Sequence, residues 1–155
     1  MQHYREIKYG PTVNLVSGRL VACYGDTCEI YQEGSWQHLQ NTTVRRRYHS
    51  SAATKEAVLL IGGRGSKTTE WIPVDGSAAH QGPFIVRHGR GHCTIQISDV
   101  TIVVTGGLNT ENYVTQYHLT EDTETHLTPL LGEGRYDHAC GVYQDTNRQQ
   151  VSKKI

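Results

Sequence analysis

Residues 59 to 69, reading LLIGGRGSKTT, are the first candidate for chemistry. Glycines that let backbone N–H groups converge on an anion, a lysine for charge and a hydroxyl for a metal are the parts of a phosphate-binding loop. The spacing does not match. Counted from Gly62, the second glycine of such a loop falls at position 67, which is Lys67, and the following EWIPVDG (70–76) lacks the helical period the loop must open. Nine histidines raise the question of a metal, and His49, His92 and His138 recur after an arginine at intervals of 43 and 46 residues. Metal ligands must converge, whereas one position of a repeat is spread along the fold. These three are expected to pack, or to bond a neighbouring backbone group. The other six (His3, His38, His80, His88, His118 and His126) show no ligand spacing. There is no C-x-x-C pair for zinc. The nearest approach to a nucleophile elbow, GRGSK, lacks its last glycine. The nine tyrosines form no constellation with histidine and cysteine. The expectation is of no catalytic residue, no metal and no cofactor.

The elements that carry these residues follow from composition. The chain has 155 residues, about one domain. Fifteen basic residues balance fifteen acidic ones, which removes the electrostatic case for nucleic acid or an anionic membrane surface. Sixteen glycines, a single methionine and short runs of Val, Ile, Thr and Tyr describe an all-β chain with many turns. No stretch is long and apolar enough for a membrane helix. The start, MQHYREIKYG, has no apolar core and so does not read as a signal peptide.

The chain repeats itself. AVLLIGGRGSKTTEWIPVDG (57–76) matches VTIVVTGGLNTENYVTQYHL (100–119): an apolar strand, Gly-Gly, a polar loop, then a strand bearing an aromatic. Gly62 and Gly106 lie 44 residues apart. RYHSSAAT (47–54) and RGHCTIQI (90–97) precede the two copies, and RYDHACGV (135–142) opens a further one with one residue inserted. An earlier, degenerate copy is RLVACYGDTCEIYQEGSWQHL (19–39), where Tyr24-Gly25 replaces the glycine pair and Trp36 sits eleven residues later. A phosphate loop has no reason to occur once per unit. The glycines are turns.

These residues resemble the kelch motif, over roughly residues 19 to 142. They are Gly62-Gly63 and Gly106-Gly107 after apolar strands, aromatics at Trp71 and Tyr117, and Trp36 in the first copy. Kelch units run near 50 residues and form the blades of a β-propeller. The resemblance implies four-stranded antiparallel meander blades, incomplete here: about three blades plus a first strand. An extension (1–8) would precede repeats over 9–143, with blades at about 9–40, 41–87 and 88–130 and a fourth starting at 135. A polar tail or truncated blade (144–155) would follow. Inner strands buried on both faces should read as continuous apolar runs, as AVLLI and VTIVV do. The paired glycines supply positive φ where neighbouring blades crowd, so Gly107→Val is expected to cost more than an ordinary surface change. Three blades and a strand cannot close a ring. The expectation is a piece of a longer propeller, or, if the chain is complete, self-association that buries the end blades.

The resemblance also implies recognition of a protein or peptide partner by rim loops. Those segments are RGSKTT (64–69), LNTEN (108–112), NTTVRR (41–46) and QGPFIVRHG (81–89). Arg45, Arg46, Arg64, Lys67 and Arg87, with Asn109 and Asn112, are the candidate contacts, a patchily basic rim for an acidic peptide or a glycan. Two other readings stand beside it. One is a propeller-type enzyme fragment, glycan-processing or like the copper radical oxidases. The other is an extracellular glycan-binding module. Cys23 and Cys28 flank the Tyr24-Gly25 turn closely enough for a disulfide across a hairpin, while Cys93 and Cys140 are expected as small buried apolar residues. An oxidised Cys23–Cys28 pair and the sequon Asn41-Thr42-Thr43 both point outside the cytosol.

Overall fold

The computed structural model describes residues 12–85, 87, 90–121, 123–127 and 132–141. The expected extension 1–8 and tail 144–155 lie outside them. Among the described residues the chain is all-β: strands, and no helix, arranged in three antiparallel sheets. The first holds β1 (Thr12–Val16), β2 (Arg19–Gln32) and β3 (Ser35–Arg46). The second runs in chain order through β4 (Ser50–Ala53), β5 (Ala57–Ile61), β6 (Thr68–Pro73) and β7 (His80–Ile85). The third does the same with β8 (Cys93–Ser98), β9 (Thr101–Thr105), β10 (Val114–His118) and β11 (Thr123–His126).

The first sheet hides a fourth strand. Residues 19–23 of β2 pair with β1 and its later residues with β3. The Cα atoms of Cys23 and Cys28 are only 4.1 Å apart and their sulfurs are bonded. Five residues of extended strand would span about 16 Å, so β2 doubles back between them, with Gly25 at φ +61°. All three sheets are therefore the same meander, and the disulfide closes the turn that a glycine pair makes in the other two.

The sheets stack face to face. β5 is buried along its whole length because it has a sheet on either side. Val58 and Leu60, with Ile72 and Val74, pack against Val21, Cys23, Cys28 and Ile30 of the first sheet. Leu59 and Ile61 point the other way, onto Ile102, Val104, Tyr117 and Leu119 of the third. Alternation along one strand thus feeds two apolar layers. Trp71 and Tyr117 each lie on the strand after the glycine turn, as expected, but not at equivalent positions. Trp71 pairs with Leu59, and Tyr117 with Ile102, the counterpart of Val58. Tyr117 is therefore the counterpart of Ile72, and Trp71 faces it across the layer from the second sheet. A one-residue offset puts a side chain on the opposite face of its sheet.

The first strand of each unit is tied to the first strand of the next. Thr12 Oγ1 meets His49 Nε2 at 3.1 Å, and Asn14 Nδ2 donates to Ser51 Oγ at 2.8 Å. Ser50 and Thr94 share a hydroxyl–hydroxyl hydrogen bond. At the next junction the equivalent positions are Cys93 and Cys140, and they form a disulfide with Cα atoms 6.0 Å apart. This corrects the expectation of two free, apolar cysteines. The residue after one repeat histidine lies beside the second residue after the next histidine, so two cysteines at those positions meet. The residue before each histidine has left-handed backbone: Tyr48 at φ +55°, Gly91 at +72° and Asp137 at +51°. Their peptide groups form a chain from unit to unit, Gly91 N–H to Tyr48 O (3.0 Å) and Asp137 N–H to Gly91 O (2.7 Å).

The glycine pairs sit under this seam. Gly62 and Gly106 have φ +57° and +66°, and Gly63 and Gly107 +106° and +98°. A Cβ on Gly62 would stand 2.9 Å from His92 Cε1, and one on Gly106 2.6 Å from His138 Cε1 and closer still to Arg135 O. Gly106→Val combines strained backbone with overpacking and is expected to cost about 3 kcal/mol or more. Gly107→Val meets left-handed backbone at φ +98° and should cost about 1–3 kcal/mol from that strain. Urea denaturation midpoints of the two variants check both figures.

Candidate functional site

Five segments meet at the glycine-pair end of the stack: the turns 62–68 and 106–113, and the linking residues 46–49, 90–92 and 135–138. Arg46 organises the first of them. The chain emerges from β3 beside β6, which turns Arg46 inward. Nη1 donates to Gly62 O (3.0 Å), Thr68 O (2.7 Å) and Ser66 Oγ (3.2 Å), and Nη2 to Thr68 Oγ1 (3.0 Å) and Glu70 Oε2 (3.3 Å). Both members of this ion pair are 1% exposed. Burial pushes the guanidinium pKa down from its ordinary value, and the charge and hydrogen bond of Glu70 push it back. Thr43 N–H donates to the other carboxylate oxygen. Arg46, expected as a rim contact, is instead the pin that holds the turn carrying Arg64 and Lys67. A strand's pleat sends adjacent arginines in opposite directions, which leaves Arg45 exposed.

Of the other expected contacts, Arg64 and Lys67 are exposed on the pinned turn, and Asn109 and Asn112 on the 106–113 turn. Asn109 has φ +69° and its N–H donates to Glu111 Oε1 at 2.9 Å. That bond, more than any other influence, holds the Glu111 carboxyl below its usual range. Arg87 does not join this group. Its Nε is 2.7 Å from Glu124 Oε1 of β11, so its charge is matched at the junction of the second and third sheets.

Three arginines outside the expected contacts take part: Arg47, Arg90 and Arg135, the first letters of the repeat triplets. Their carbonyls are clamped by the turns: Arg64 N–H to Arg47 O (2.6 Å), Leu108 N–H to Arg90 O (2.9 Å) and Gly107 N–H to Arg135 O (2.8 Å). Arg135 N–H in turn donates to Glu111 O (2.9 Å). The guanidinium carbon of Arg90 lies 5.5 Å from the ring centre of Tyr48, the neighbouring unit's left-handed residue, a cation–π distance. The signal is legible in the sequence, since an arginine recurs at the same repeat position. The rim is thus rigid at its backbone and cationic at its side chains, with Glu111 and Asp137 interspersed.

The repeat histidines lie beneath. His49 is held neutral, with its pKa lowered to about 4, first by burial and then by the nearby charges of Arg46 and His92. His138 is lowered too, chiefly by burial. The unfolded chain takes up a proton near pH 6.5 whereas folded His49 does so only near 4. Stability is then full above pH 6.5 and drains away as the pH falls toward 4, by about 3 kcal/mol at most for His49. His49→Gln should flatten that segment of the stability–pH curve, measured by urea denaturation between pH 7.5 and 4.5. Among the described residues no three histidine, cysteine or acidic side chains cluster as metal ligands.

At the opposite end of the stack a cleft of about 640 Å³ opens beside the first two sheets. Arg19, Lys55, Glu56, Trp71, Asp75 and His80 line it. Asp75 is kept below its usual pKa mainly by the Ser77 hydroxyl, at 2.6 Å, and then by the Ser77 N–H. None of the expected contact residues lies there. No helix among the described residues is long and apolar enough to cross a membrane. No protein-family model matches the chain, and no curated protein matches it.

Proposed function

We propose that the chain is part of a kelch-type β-propeller and serves as a non-enzymatic interaction module whose glycine-pair rim receives an acidic peptide. The observation that carries this reading is the clamped arginine series Arg47, Arg90 and Arg135, one per unit, beside exposed Arg45, Arg64 and Lys67. Guanidinium groups on a fixed backbone give carboxylates directional, bidentate partners with little ordering to be done on binding. The face-to-face meander sheets with inner strands buried on both sides support the propeller part. All four cysteines are in disulfides, which favours an oxidising compartment. An anionic glycan is the second reading, because the same cations would serve it.

The test is titration of a fluorescein-labelled Glu- and Asp-rich peptide at two salt concentrations, with a sulfated oligosaccharide in parallel. Arg64→Glu combined with Arg90→Glu is expected to weaken peptide binding at least tenfold, and the wild-type affinity should fall as salt rises. Affinity indifferent to both charge reversal and salt would overturn the reading. Preference for the oligosaccharide would select the second one.

A further inference from the structure

We infer that Asn41 is an N-glycosylation site, taking an oligosaccharide from a lipid-diphosphate donor. Asn41-Thr42-Thr43 has the acceptor spacing, with no proline at its centre. Acceptor triplets arise by chance, so their placement decides. Asn41 lies on β3, the edge strand of the first sheet, paired with Thr27 on its inner side only. Gln40, the residue before it, reaches across to the second sheet, where its Nε2 donates to Pro73 O at 2.9 Å. Successive strand side chains point to opposite faces, so Asn41 faces away from the apolar layer, and it is exposed. A sugar there would stand at the outer margin of the stack and leave the arginine series open. It would also cover a sheet edge, a template for unwanted pairing when bare. Independently, the two disulfides place the chain's maturation in an oxidising compartment, where such acceptors are modified.

The transfer balances simply. Asn41 Nδ2 forms a bond to the anomeric carbon of the donor sugar, the bond from that carbon to the diphosphate oxygen breaks, and the lipid diphosphate leaves. One amide proton is released. No oxidant or metal enters the protein.

The inference rests on the reading that the chain matures in the secretory route, and the experiment separates the two. The full chain, with a cleavable secretion leader added, is translated in the presence of microsomes, and only protease-protected chains are scored. One discrete mass step is expected, removed by peptide N-glycosidase. It should vanish in Asn41→Gln and Thr43→Ala but persist in Thr43→Ser and Thr42→Ala. Protected chains without the step would sink the site itself, whatever the natural route. The same chain without the added leader reports on the route alone.

Discussion

Arg46→Ala is expected to destabilise the protein by about 3–5 kcal/mol, the largest loss among single side-chain truncations here. The reason is what it leaves behind. Glu70 is 1% exposed and has Arg46 as its ion-pair partner, and a carboxylate stripped of its cation in such a place cannot be rescued by water. Four further acceptors, Gly62 O, Thr68 O, Ser66 Oγ and Thr68 Oγ1, lose a donor at the same time. Replacing both partners at once should hurt far less. Arg46→Met with Glu70→Met removes two buried charges together and is expected to recover most of the loss. Urea denaturation of Arg46→Ala and of the double variant makes the comparison. Equal losses in Arg46→Ala and the double variant would show that the ion pair is not what matters there. The functional reading adds a second consequence. Arg46 is buried, yet its removal should weaken peptide binding, because the turn that presents Arg64 and Lys67 is pinned through it.

Removing the Cys93–Cys140 bond should cost about 4 kcal/mol. The two residues are 47 apart in sequence, and closing a loop of that length takes roughly this much from the unfolded chain's conformational freedom. The bond within β2 closes a separation of only five residues, so Cys23→Ser with Cys28→Ser should cost less on the same argument. The order is the test. Denaturation of the two double-serine variants should place the long-loop variant lower, and a reversal would mean that local geometry outweighs chain entropy. Cys93→Ser with Cys140→Thr is a sharper probe. It copies the Ser50–Thr94 hydrogen bond of the preceding junction, and it should restore about 1 kcal/mol of what the disulfide supplied.

How much of this was legible in the sequence differs from element to element. AVLLI and VTIVV announced strands buried on both faces, and the glycine pairs marked where they end. The offset between Trp71 and Tyr117 was not legible, because the two turns differ by one residue. Gly62 N–H bonds to Thr68 O, but Gly106 N–H bonds to Tyr113 O. Counting from the glycines therefore lands on the wrong face of one sheet. Arg46 was hidden among three consecutive arginines, which composition cannot tell apart and only the pleat separates. Glu70 offers a clue: a lone carboxylate among buried strand residues calls for a cation nearby. The Cys93–Cys140 bond needed the register between neighbouring units, which no pattern within one unit contains. The arginine series is visible as one arginine per repeat, but nothing within a repeat says that its carbonyl is clamped by a turn.

The Cys93–Cys140 bond also decides how the molecule would bear a mechanical load. β8 begins at Cys93 and β11 ends at His126, so the whole third sheet lies inside the covalent loop. Tension applied along the polypeptide crosses from Cys93 to Cys140 through the sulfurs, and the intervening segment is bypassed. The hydrogen-bonded junction between the first two sheets has no such shunt and would part first. A stretched molecule would lengthen by unravelling its first two sheets while the third rode along slack and intact, until a thiol cut the bond and handed it the load.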